Sequence, residues 1–130
     1  MPVDTKAFER SLREYESRLQ AAMGRAMEKN VEDLEREAKK LAPYKTGELE
    51  GNTETSVTQT RDQVQGNVQF NVPYAARQHN DLSLRPGPGT RAKSPTKYGT
   101  PGTNYLLNPA KGLGQDKTFH NNLKREVDKL

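Results

Sequence analysis

Neither cysteine nor tryptophan occurs among the 130 residues. Without cysteine, no disulfide and no thiolate metal site can form, which fits a reducing compartment. Apolar residues are also scarce, at 31% hydrophobic and 6% aromatic against 29% charged. No stretch approaches the roughly 18 consecutive apolar residues that a membrane span needs. The opening Met1-Pro2-Val3-Asp4 has neither the basic flank nor the apolar run of a signal peptide. The sequence therefore reads as one soluble domain over 1–130, made in a cytoplasm and able to build a single small core. So polar a chain buries little by itself. Either part of it is disordered or its core is completed against other chains, and the second reading is preferred.

Acidic residues are missing from one long stretch. Between Asp81 and Asp116 there is none, while Arg85, Arg91, Lys93, Lys97 and Lys111 are all positive. Residues 1–43 carry nine Lys/Arg and nine Asp/Glu, so the net charge of +4 does not come from there. Basicity confined to one segment points to an anionic partner surface.

What is present is organised around Leu41-Ala42-Pro43-Tyr44-Lys45-Thr46-Gly47-Glu48-Leu49. Proline lacks an amide hydrogen and disfavours helical geometry in the residue before it, so a helix arriving at Ala42 must stop. Gly47 allows a turn that other residues resist. The chain is expected to leave this joint extended, with Leu49 as its first apolar anchor. Upstream, residues 1–42 read as one long helix, with Asp4 or Thr5 as N-cap. Phe8, Leu12, Tyr15, Leu19, Ala22 and Ala26 form a stripe that shifts by one residue to Met27, Val31, Leu34, Ala38 and Leu41. Such a helix bends, breaks near Gly24 or Asn30, or projects toward a neighbour. Pairs such as Glu14–Arg18 and Glu32–Arg36 add a few tenths of a kcal/mol each on a solvated face. The sharper alternative is a coiled-coil-like seam against another subunit.

Downstream, 46–76 reads as a small sheet. In Gln63 to Val72, Val64, Gly66, Val68, Phe70 and Val72 face one way and Gln63, Gln65, Asn67, Gln69 and Asn71 the other, a period of two. Asn52 to Thr60 alternates less clearly, and Arg61-Asp62 between the runs makes an antiparallel hairpin the simplest connection. The polar face is either solvated or lines an interior channel. Pro73 ends the ladder, and a short helical turn follows. Residues 80–103, with four prolines and four glycines, read as an extended loop or arm. Residues 104–130 close the chain with a helix whose stripe is Phe119, Leu123, Val127 and Leu130.

No catalytic, cofactor-binding or metal-ligating set emerges, so the chain does not read as an enzyme. His79 lies near Asp81, but one His/Asp pair without a third ligand or nucleophile is weak. His120 sits beside an apolar stripe, where a packed or exposed histidine is the ordinary case. Glu48, Glu50 and Glu54 would share one face of an extended chain and read as a solvated strand edge. Gly87-Pro88-Gly89-Thr90 lacks the Lys-Ser/Thr of a phosphate loop. The alternative function is a small basic nucleic-acid-binding protein, its 82–114 arm tracking a phosphate backbone with Tyr98 or Tyr105 to stack on bases.

The order of landmarks carries a resemblance. The long helix ends in Ala42-Pro43-x-x-Thr46-Gly47-x-Leu49, a Gln/Val strand runs into Pro73-Tyr74-Ala75, and Asn104-Tyr105-Leu106-Leu107-Asn108-Pro109-Ala110 precedes the last helix. This resembles the tail-completion (tail-to-head joining, or minor capsid) proteins of long-tailed double-stranded DNA bacteriophages. Where that family has an acid and Gly-Thr after its Tyr-Ala segment, this chain has His79-Asn80-Asp81 and a basic loop. The resemblance implies an α+β fold, with a long N-terminal and a short C-terminal helix on a small antiparallel sheet. It further implies a virion protein of the neck, ringed with copies of itself, commonly sixfold. The implied neighbours are the head connector or stopper, the tail tube or terminator and the DNA that passes, with no membrane. Pro43, Tyr44, Thr46, Gly47 and Leu49 would set the helix–sheet joint. Tyr74, Arg85, Arg91, Lys93, Lys97, Tyr98, Tyr105 and Leu106 would be interface candidates.

Overall fold

The structure, a computed structural model, describes residues 5–44 and 47–130; Asp4 and Thr46 lie outside them. A helix α1 (Lys6–Leu41) is followed by a helical turn α2 (Glu48–Gly51) and two strands, β1 (Thr53–Gln59) and β2 (Val64–Phe70). Four short helices complete the chain: α3 (Ala75–Asn80), α4 (Pro88–Arg91), α5 (Leu107–Gln115) and α6 (Thr118–Val127). The fold is α+β, as the resemblance implied.

Helix α1 runs unbroken for 36 residues, through both Gly24 and Asn30, about 54 Å at 1.5 Å per residue. Thr5 is its N-cap residue, and the Thr5 hydroxyl donates to Glu9 at 3.3 Å. Of the expected surface pairs, Glu14–Arg18 stands at 4.0 Å. Arg36 instead turns to Asp33 at 3.0 Å, a buried carboxylate that also pairs with Lys29. Two faces of α1 are used. Met27 and Val31 meet Gly66 of β2, and Asn30 and Asp33 meet Asn122 of α6. At 100° per residue these faces are about 110° apart around the helix, so hairpin and C-terminal helix pack on separate flanks of α1.

The strands pair antiparallel without interruption, from Thr53↔Phe70 to Gln59↔Val64. Val64, Gly66, Val68 and Phe70 are half-buried against α1, while Gln65, Asn67 and Gln69 are exposed. The period of two was therefore a reliable sign. A methyl group on Gly66 would lie 2.5 Å from Val31 Cγ1 and 2.7 Å from Met27 Sδ. Gly66→Val is accordingly expected to force hairpin and helix apart and to cost about 1–3 kcal/mol, read as a lowered midpoint in urea.

Polar side chains link α1 to α6. Asn122 Nδ2 donates to Asp33 Oδ2 at 2.9 Å and to Asn30 Oδ1 at 2.8 Å. Lys29 and Arg36 pair with Asp33 at 2.9 and 3.0 Å, and Arg25 with Glu126 at 2.9 Å. The buried face of α6 centres on Asn122, with Phe119 and Val127 of the expected stripe half-buried beside it and Leu123 and Leu130 exposed. Burial alone would raise the Asp33 carboxyl, but hydrogen bonds from Asn122, Lys29 and Arg36 outweigh it and hold it below the usual range. A carboxyl depressed in the folded state stabilises above its unfolded value, about 3.9, and that contribution disappears as pH falls through the folded value. Asp33→Asn is expected to be less stable than wild type at pH 7 and to lose less stability between pH 5 and 2, as thermal melts across that range would record.

Candidate functional site

The joint ends α1 as proline demands. Ala42 closes the last helical bond to Ala38 O at 2.9 Å and is already extended, with φ −63° and ψ 138°. Gly47 takes the left-handed φ of 79°, the conformation glycine tolerates. The chain then makes the turn α2 instead of continuing extended, which buries Leu49 in the core. The carboxylates that an extended chain would have aligned are consequently separated. Glu50 pairs with Lys93 at 2.8 Å, Glu48 accepts from the Tyr74 hydroxyl at 3.2 Å, and Glu54 accepts from Asn71 at 3.3 Å.

The Pro/Gly-rich segment does not reach away from the domain; it is pinned to this joint. Lys93 Nζ donates to Lys39 O at 2.9 Å, Ala42 O at 2.7 Å and Glu50. It satisfies carbonyls that the end of α1 leaves unpaired and places a cation at the negative end of the helix dipole. The Tyr44 amide donates to Thr90 Oγ1 at 2.8 Å, and the Gly102 amide to Leu41 O at 2.9 Å. Farther along, Tyr98 lies against Gly112 of α5. Its hydroxyl donates to Asp116 at 2.6 Å, and Lys97 pairs with the same carboxylate at 3.1 Å. Hydrogen bonds from Thr118, then Tyr98 and Lys97, hold Asp116 far below the ordinary carboxylate range.

The pinned segment and the joint enclose a cleft of about 840 Å³. Pro43, Tyr44, Leu49, Tyr74, Leu84, Pro86 and Thr90 line it, with Glu48, Gln78 and Arg85 as its polar groups. Tyr44 and Tyr74 each show 39% of their surface to solvent. Desolvation and then the Glu48 charge raise the Tyr74 phenol.

The interface candidates divide. Arg85, Arg91 and Lys97 are exposed, although Arg91 donates to Pro86 O and Lys97 holds Asp116. Lys93 and Tyr98 are mostly engaged within the chain, and Leu106 packs on the core. Tyr105 is not on the surface at all. It is 2% exposed, its hydroxyl donates to Ala75 O at 2.8 Å, and burial pushes its phenol up to about 12. Neither Tyr105 nor the packed Tyr98 ring is placed to stack on a base. Of the two leucines that follow Tyr105, Leu106 packs on the same core and Leu107 is exposed. His79 Nε2 accepts from the Leu107 amide at 3.1 Å, and its other ring nitrogen meets Asn80, not Asp81. Among the described residues no three His, Asp or Glu side chains gather as a metal site, and no helix is long and apolar enough to cross a membrane.

Outside the cleft lies a second surface. From Thr5 to Arg18 every residue of α1 is exposed, including Phe8 at 66%, Leu12 at 53% and Tyr15 at 51%. The expected stripe is real, but its first half is exposed among the described residues.

A long helix is rooted in a small α+β body, and apolar and basic side chains are turned outward on its surface. Residues 6–78 match the family model of the HK97-gp10-like proteins, described as "Bacteriophage HK97-gp10, putative tail-component". The chain belongs to that family of bacteriophage tail components. Neither the curated proteins nor the solved structures gave a match.

Proposed function

We propose that this tail-component protein is a structural subunit of the phage neck, forming a ring of its own copies between the head connector or stopper and the tail tube or terminator. The observation that carries the reading is the uncovered stripe Phe8, Leu12 and Tyr15. Three large apolar side chains on one projecting helix face are costly to leave in water, and a neighbouring subunit removes that cost. The cleft at the joint, with Tyr74 at its rim, and the outward Arg85, Arg91 and Lys97 supply further contact surface for the connector-side or tube-side neighbour. Their work is binding, without turnover. A ring of six is the expected stoichiometry, and the virion the expected location.

Light scattering of the purified protein, followed by negative-stain imaging, tests this. Ring-shaped particles of uniform mass are expected. A chain that stays monomeric at every concentration, and whose loss leaves heads joined to tails, would overturn it. A duplex titration at two salt concentrations addresses the nucleic-acid alternative, for which affinity must fall steeply with salt.

A further inference from the structure

The sheet contains two strands and therefore two open edges. The Asn71 amide donates to Asn52 O at 2.7 Å, and the Thr60 amide to Gln63 O at 2.8 Å. Both pairs continue the register of the hairpin, and antiparallel ladders alternate hydrogen-bonded with non-hydrogen-bonded pairs. Positions 54, 56 and 58 are thus bonded to 69, 67 and 65. Positions 53, 55, 57 and 59 of β1, and 64, 66, 68 and 70 of β2, direct their amides and carbonyls out of the hairpin. Among the described residues no hydrogen bond reaches those outward groups.

Natural edge strands are guarded by lysine, proline or a bulge. Here neither strand has a lysine, arginine or proline, the register has no bulge, and Glu54 is the single charge. We infer that these edges are assembly surfaces and that the occupant of each is a second copy of this chain, the β1 edge of one subunit pairing with the β2 edge of the next. The two edges suit each other. They are equal in length, β2 carries no charge to oppose Glu54, and β1 already runs antiparallel to β2. A neighbour's β1 laid on β2 therefore continues one antiparallel ladder. The contact is heterologous, so a rotation that closes consumes every edge. This deepens the ring reading above and rests on it.

The test uses Thr55, which is exposed and whose amide points outward. Proline is tolerated at such an edge position. Thr55→Pro is expected to melt near wild type but to lose assembly in light scattering. Thr55→Lys, which places a guard on the edge, is expected to do the same and covers the case that proline disturbs the strand. Ser56→Pro removes an amide committed to Asn67 inside the hairpin and is expected to lower the melting temperature. In assembled wild type, the amides of Thr55 and Val57 are expected to exchange about tenfold or more slowly than in the monomer. If wild type assembles and both Thr55 variants assemble equally well, edge pairing is wrong and the ring reading stands. If wild type never assembles, both fall together.

Discussion

Leu41→Ala is expected to remove about 2–5 kcal/mol of folding stability, out of the roughly 5–15 kcal/mol that a domain of this size commands. Leu41 is 1% exposed, and it meets Ala42, Leu49, Val72, Ala75 and Tyr105 in the core at the joint. Ala42 and Ala75 are too small to swing into the space that truncation leaves, so a cavity persists. The core is also small, and few other side chains could take up the load. Urea denaturation should show the midpoint falling by roughly 1–3 M with an unchanged slope. A shift below roughly 0.3 M would mean that the joint core collapses onto the gap and that Leu41 is not its keystone.

The second large effect concerns assembly and should leave the monomer intact. Replacing Phe8, Leu12 and Tyr15 together by serine touches no intramolecular contact of the core, since all three are more than half exposed. Burial of each in a neighbour's surface is worth about 1 kcal/mol or more. Together that is roughly 3 kcal/mol, or about a hundredfold in association at 1.4 kcal/mol per factor of ten. Sedimentation at graded concentrations should find the triple variant monomeric where wild type assembles, with nearly coincident thermal melts. A variant that associates like wild type would remove the projecting stripe from the interface.

How much of this was legible in the chain depended on whether a local rule had a rival. The hairpin was, because Val64 through Phe70 alternate strictly and nothing nearby offered another partner. So was the end of α1, because proline acts on its immediate neighbour. The turn after Gly47 was not, since Glu48-Leu49-Glu50 favours neither state alone and the burial of Leu49 decides. Helix α6 was legible in half: Phe119 and Val127 of its stripe are half-buried, while Leu123 and Leu130 give way to the buried Asn122–Asp33 contact. Lys93 was the hardest. As one cation among five in a loop it reads as solvent-facing, and only the tertiary fold brings the carbonyls of Lys39 and Ala42 within its reach. That single capture turns an apparent arm into part of the body. The cleft could not be anticipated either, because its walls come from segments some forty residues apart.

The unbroken course of α1 has a mechanical side. The rod is cemented along its later turns and exposed for its first thirteen residues, a free length of about 20 Å. With no kink to absorb motion, a tilt of about 10° at the root would carry the tip sideways by roughly 3.5 Å, close to half the width of a side-chain contact row. The grip of hairpin and C-terminal helices on the shaft therefore sets where the tip can land, and loosening Asn122 or Gly66 would blur the aim of a surface neither residue touches.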